Sequence, residues 1–237
     1  MNSEKLAVVM PVYNEEDALC GVMEAWHDRL TQMGVDFRIF AYNDGSTDST
    51  SAKLHALEPR LDRLVVVDQP NCGHGPTILQ GYRRAAEGFD WVFQVDSDGE
   101  MAPDRFPQLW AKRVSSDFVL GRRAGRVQPL SRKIVSAVSR WTVWLFFGKA
   151  VWDVNSPYRL MRTAAFADLF ALLPDQTFAP NVVLTGWAAK RGLRTVEMDV
   201  EQHDRQTGEV SIRKWRLLKA AVRSLMQTIR LAFVRVR

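Results

Sequence analysis

Asp96 and Asp98, separated only by Ser97, follow directly on the apolar run Val92-Phe93-Gln94-Val95 and precede Gly99-Glu100. A run of that kind makes a buried strand, and two carboxylates at its carboxyl end suit a hard divalent cation. Mg²⁺ or Mn²⁺ takes one or two protein carboxylates and completes its shell with water and substrate phosphate. Parallel sheets put their ligand sites outside the carboxyl ends of the strands, so a nucleotide diphosphate beside Asp96 and Asp98 is the first expectation. The same residues also read as a strand that ends in a solvated Asp-Gly turn. Their neighbours have to decide.

Two earlier segments end in the same manner. Pro11-Val12-Tyr13-Asn14-Glu15-Glu16 places backbone groups and an aromatic ring at a strand-to-helix corner, where Pro11, Tyr13 and Glu15 can pack against a base. In Asn43-Asp44-Gly45-Ser46-Thr47-Asp48, the Asp44 carboxylate can accept a hydrogen bond from a base or a ribose. Plainer readings stand beside both: Asn14 as a helix cap, and the second segment as a turn with an N-cap. His74 lies in a glycine-rich loop, where it either approaches a phosphate or is incidental.

The elements that must position these residues follow from hydrophobic periodicity. Strands are expected over residues 6–10, 37–42, 64–67 and 91–95, and helices over 15–33, 47–57 and 77–87. This alternation predicts an α/β fold: a Rossmann-like, mostly parallel sheet with helices on both faces. The later pattern is looser, with a helix over 104–113, a strand over 117–120, a basic loop and a helical stretch over 131–147. A segment at 154–161, helices over 163–172 and 180–191, and a strand over 194–200 complete it. No linker rich in Gly, Pro or Ser divides the chain. One catalytic domain over 1–212 is expected, with 1–103 as the nucleotide-binding half and 104–212 as the acceptor half, followed by a basic amphipathic helix over 213–237.

The net charge of +5 is uneven, because no acidic residue follows Glu209 while Arg213, Lys214, Arg216, Lys219, Arg223, Arg230, Arg235 and Arg237 do. Trp215, Leu218, Val222, Leu225, Met226, Ile229 and Phe233 fall at helical spacing among them. Such a segment suits an anionic membrane surface, and packing on the domain or on a partner remains the plainer alternative. A nucleic-acid partner is not expected, since it leaves Asp96 and Asp98 unexplained. Only Cys20 and Cys72 are present, in no CxxC pair and with no signal segment ahead of them, so free thiols and a cytoplasmic setting are expected. The apolar stretch 141–152 is broken by Gly148 and Lys149 and falls short of the roughly 20 residues that cross a bilayer. No transmembrane helix is expected.

Taken in order and spacing, PVYNEE, NDGSTDST, NCGHGP and VDSDGE resemble the family 2 inverting glycosyltransferases of GT-A fold. Gly121-Arg122-Arg123, Ser131-Arg132-Lys133-Ile134-Val135-Ser136, the segment from Asp153 to Leu160, and Arg205 before Gly208-Glu209 are similar to the dolichol-phosphate mannose synthase type, which includes bacterial polyprenyl-phosphate glycosyltransferases. The resemblance implies a UDP- or GDP-sugar donor with its base near Pro11, Tyr13, Glu15 and Asp44. It implies a diphosphate bridged through Mg²⁺ or Mn²⁺ to Asp96 and Asp98, with Glu100, where the family often has Gln, as a further ligand directly or through water. Polyprenyl phosphate is then the implied acceptor, held by Arg123, Arg132 and Arg205 with Arg122 as a fourth arginine and Ser136 beside them. In the family's last motif, Gly-Glu-Ser-Lys, this chain has Val210 ahead of Ser211.

A lipid monophosphate has a second pKa near about 6 and is already nucleophilic at neutral pH, so it needs no general base. A sugar-hydroxyl acceptor does need one, and Asp153 is the candidate. With a phosphate acceptor, Asp153 instead orients an arginine. The expected location is the cytoplasmic face of a membrane, peripherally bound, with a membrane-protein partner or a second copy of the chain as possible company.

Overall fold

A computed structural model describes residues 4–124 and 153–202, together with Met226. Its first half alternates as the periodicity predicts: β1 (Lys5–Val12), α1 (Leu19–Gln32), β2 (Asp36–Asp44), α2 (Thr50–Leu57), β3 (Leu64–Gln69), α3 (His74–Ala86) and β4 (Trp91–Gln94). There follow α4 (Phe106–Ala111) between short 3-10 turns, β5 (Phe118–Ala124), β6 (Arg159–Arg162), α5 (Thr163–Leu172), α6 (Pro180–Lys190) and β7 (Thr195–Glu201).

The strands form one seven-stranded sheet in the order β3-β2-β1-β4-β6-β5-β7. Four of its six pairings are parallel, and β6 runs against both of its neighbours, β4 and β5. The mostly parallel α/β sheet expected from the sequence is what forms.

Burial on both faces explains the apolar runs. Along β1, Leu6, Val8 and Met10 enter one core layer, while Ala7 and Val9 enter the other. In the first layer the Trp26 ring meets Phe93, Phe106 and Tyr158 at centroid distances of 5.2, 5.6 and 5.9 Å. In the second layer α3 lies so close to the sheet that a Cβ on Gly81 would stand 2.2 Å from Val9 Cγ1. Only glycine permits that approach, and with it the placement of the α3 N-terminus at the sheet edge.

Several element ends differ from the periodicity. β5 runs on to Ala124, so Arg122 and Arg123 lie on a strand paired with β7 where a basic loop was expected after residue 120, and α2 starts at Thr50 rather than at residue 47. α3 starts at His74 rather than at residue 77: Gly73 turns the chain at φ 91°, and Pro76 fits a first helical turn, where no N–H is needed. β2 continues through Asn43 and Asp44, which pair in register with Asp68 and Gln69 of β3. α1 starts at Leu19, not at residue 15, and Asn14 does not cap it; Asn14 takes a left-handed φ of 53° and bonds across to the β2–α2 corner. Cys20 and Cys72 are free thiols. The helical stretch 131–147 and the basic tail, apart from an exposed helical Met226, lie outside the described residues. Among the described residues no helix is long and apolar enough to cross a membrane.

Candidate active site

The turn after β4 is built around its middle residue. Ser97 is buried, and its hydroxyl donates to the Pro11 carbonyl at 2.9 Å, tying the turn to the end of β1. With Ser97 pointing inward, the residues on either side of it stand half-buried at the surface of the cleft. Gly99 closes the turn at φ 73°, and Asp98 Oδ1 accepts the Glu100 N–H at 3.0 Å.

Asp96 Oδ1 sits 3.1 Å from His74 Nε2 and accepts from Gln94 Nε2 at 3.1 Å. No described residue bonds Oδ2. Burial works to raise the Asp96 pKa, but His74, Arg123 and Gln94 together hold it below the usual carboxylate range. At His74, crowding by protein atoms opposes the charged ring, and Asp96, with Asp44 and Asp98 nearby, outweighs it and raises the pKa. Among the described residues no group of three His, Cys, Asp or Glu is placed as a protein-only metal cage. The donor set fits a hard cation that uses two carboxylates and completes its shell with water and phosphate, since one oxygen of Asp96 is left open.

Arg123 comes to this cleft from β5. Its Nε donates to Asp153 Oδ2 at 2.6 Å and its Nη2 to Asp153 Oδ1 at 2.8 Å, with both side chains largely buried. Burial disfavours the guanidinium, and Asp153, Asp96 and Glu100 more than offset it, so its pKa is raised. Successive strand residues face opposite sides of a sheet. Arg122 therefore turns away from Arg123 and pairs with Asp199, its register partner on β7, at 2.5 and 2.9 Å. Glu100 accepts a short hydrogen bond from Gln202, just beyond β7.

The two corners expected to meet a base lock onto each other. Thr47 N–H donates to Asn14 Oδ1 at 2.8 Å, Asn14 N–H to Ser46 Oγ at 3.0 Å, and Glu15 N–H to Thr50 Oγ1 at 2.9 Å. Tyr13 is exposed there and Glu15 is buried. Asp44 is buried under the loop before α3: its Oδ1 accepts from Gln69 Nε2 and Cys72 N–H, and its Oδ2 from Gly73 N–H at 2.9 Å. Against the cost of burial, these donors hold its pKa down. The remaining lone pair of Oδ2 is what Asp44 can offer a ligand.

The tertiary structure thus gathers Asp96, Asp98, Glu100, Arg123 and Asp153 in one charged cluster, with Pro11 behind the turn and Asp44 behind the His74 loop. It does not bring Arg122 to the side where Arg123 lies, and Arg132, Ser136 and Arg205 lie outside the described residues. Sequence reasoning left His74 undecided and passed over Gln94. The available signal for Gln94 was an amide inside an otherwise apolar strand.

The seven-stranded, mostly parallel sheet is the GT-A fold, and the family match makes the chain a glycosyltransferase. The chain belongs to glycosyl transferase family 2, whose family model matches residues 7–170, more than half of it. It is similar to undecaprenyl-phosphate 4-deoxy-4-formamido-L-arabinose transferases, at 28% identity over 208 residues for that of Pectobacterium carotovorum subsp. carotovorum (strain PC1) and 26% over 208 for that of Proteus mirabilis (strain HI4320). Each match covers 86% of this chain and 62% of the relative, so the chain spans less than two thirds of those proteins. Among solved structures, glucosyl-3-phosphoglycerate synthase from Mycobacterium tuberculosis, in complex with Mn²⁺, UDP and phosphoglyceric acid, superimposes with a TM-score of 0.73. That match has 16% identity and covers 98% of this chain and 80% of that one. S. aureus TarS in complex with UDP superimposes with a TM-score of 0.58 at 19% identity, covering 92% and 65%.

Proposed function

We propose that this chain transfers a sugar, with inversion, from a UDP- or GDP-sugar to the phosphate of a polyprenyl-phosphate lipid. The observation that carries the reading is the two-pronged Arg123–Asp153 pair beside Asp96. Both Asp153 oxygens are engaged in holding the guanidinium, which is the geometry of a group that orients an arginine, and a phosphate acceptor asks for no general base. The names of the relatives support the same acceptor class.

Asp96 and Asp98 would hold Mg²⁺ or Mn²⁺, which when bound supplies Lewis-acid stabilisation of the charge developing on the leaving diphosphate. Arg123 has five N–H donors by chemistry, and the Asp153 pairing commits only its Nε and one on Nη2. The others can take phosphate oxygens from a guanidinium already fixed in place. Arg132, Ser136 and Arg205 complete the acceptor-phosphate site in this reading. Pro11, Tyr13, Glu15 and the free lone pair of Asp44 face the base. Glu100, restrained by Gln202, serves the cation directly or through water.

The domain covers 1–212, and the segment 213–237 carries it to the cytoplasmic face of the membrane. The test is incubation of the purified chain with radiolabelled nucleotide sugars, Mn²⁺ and polyprenyl phosphate. Label passing into the organic phase is expected; label that stays aqueous with every donor overturns the reading.

A further inference from the structure

Beneath Asp96 lies a polar network that the transfer reaction, as described, does not use. Gln94, Tyr82 and Asn181 are fully or almost fully buried and come from β4, α3 and α6. Asn181 Nδ2 donates to Gln94 Oε1 at 2.8 Å. The Tyr82 hydroxyl stands 2.9 Å from Gln94 Oε1 and 2.8 Å from Asn181 Oδ1, and shares its single proton between them. With donors converging on Oε1, the Gln94 amide has one orientation available, and its Nε2 points at Asp96 Oδ1. Asn181 is itself clamped, because its backbone carbonyl accepts from Arg159 Nη1 at 3.0 Å and Thr185 Oγ1 at 2.8 Å.

Packing alone does not call for this arrangement, since apolar side chains of the same shape fill a core without the cost of desolvating three polar groups. What the network adds is direction. A carboxylate oxygen only accepts hydrogen bonds, so an N–H held against Oδ1 fixes the rotation of the Asp96 carboxylate and leaves Oδ2 without a bond to any described residue.

We propose that Tyr82 and Asn181, acting through Gln94, are positioning residues for Asp96, and that α6 of the acceptor half thereby sets the affinity of the donor-side cation site. The proposal rests on the reading of Asp96 as a cation ligand. Groups that orient a metal-binding carboxylate typically change metal affinity by about 10–100-fold when removed.

The test is calorimetric titration of UDP and GDP into the full chain, with and without Mn²⁺. The triple variant Tyr82→Phe/Gln94→Met/Asn181→Leu removes all the network's polar groups together, which leaves no buried donor or acceptor stranded and keeps the fold. Its Mn²⁺-dependent nucleotide affinity is expected to fall about tenfold or more, while its thermal midpoint and its Mn²⁺-free nucleotide affinity stay near those of the parent. A merely structural role moves the midpoint or both affinities instead. Tyr82→Phe alone, the mildest change, is expected to weaken Mn²⁺-dependent binding several-fold, and it decides the matter should the triple variant unfold. Unchanged Mn²⁺-dependent affinity in the folded variants overturns the proposal, provided that Asp96→Asn abolishes it. If Asp96→Asn binds the Mn²⁺–nucleotide complex as the parent does, the cation-site reading itself is what fails.

Discussion

Arg123 and Asp153, thirty residues apart in sequence, meet with two parallel hydrogen bonds of 2.6 and 2.8 Å. One residue earlier on the same strand, Arg122 turns to the other face and meets Asp199 instead. The pairing fixes the Arg123 guanidinium, which in the proposed function is the fork that takes the acceptor phosphate, with Asp153 holding it.

Asp153→Asn separates that role from general-base catalysis. The amide keeps one acceptor oxygen and loses the charge, so Arg123 is held less firmly. With polyprenyl phosphate, kcat/KM is expected to fall by about one to two orders of magnitude with the shape of its profile between pH 6 and 9 retained. A rate that becomes flat with pH near neutrality would instead mark Asp153 as a base for a hydroxyl acceptor.

Ser97→Ala should act on stability and site together. It strands the Pro11 carbonyl without its 2.9 Å partner and frees the turn that carries Asp96 and Asp98. A loss of about 1–3 kcal/mol is expected in urea unfolding, together with weaker Mn²⁺-dependent binding of UDP or GDP.

Gly81→Ala tests how closely α3 must approach the sheet. The added Cβ meets Val9 Cγ1 at 2.2 Å and Cγ2 at 2.9 Å, in a core with no room to move aside. Alanine's better helix propensity is outweighed, and a net destabilisation of about 1–3 kcal/mol is expected from the urea midpoint. No change would mean that α3 can lift from β1.

Asp117 should supply an acid-sensitive part of the stability. Hydrogen bonds from Arg194, against the cost of burial, and a bond from Arg162 bring its pKa down to about 2. A carboxyl group depressed on folding contributes fully above its unfolded pKa, near 3.9, and loses that contribution as the pH falls through its folded value. Comparison of the parent with Asp117→Asn is therefore expected to show a difference of about 1 kcal/mol at pH 7, modest because Arg194 stands in solvent, that shrinks from about pH 4 down to pH 2. A difference that persists at pH 2 contradicts this.

Much of the fold was legible because its signals are local. Apolar runs such as Leu6–Met10 and Trp91–Phe93 are required wherever a strand is covered on both faces, and the polar turns that end them follow immediately. Element ends were less legible: Gly75 and Pro76 read as loop residues, yet both fit the first turn of α3, which is why His74 begins a helix beside Asp96.

The sequence by itself determined the order of strands and helices, the paired carboxylates at a strand end and the family resemblance, all of which reside in residue types at short spacing. Only the tertiary structure decided which arginine faces the cleft, that His74 reaches Asp96, and that Asn181 on α6 bears on Asp96 through Gln94. Apart from the Gln94–Asp96 step, those contacts join residues 22 to 87 positions apart. They depend on strand register and on how closely helices seat on the sheet, which no local pattern of side chains specifies.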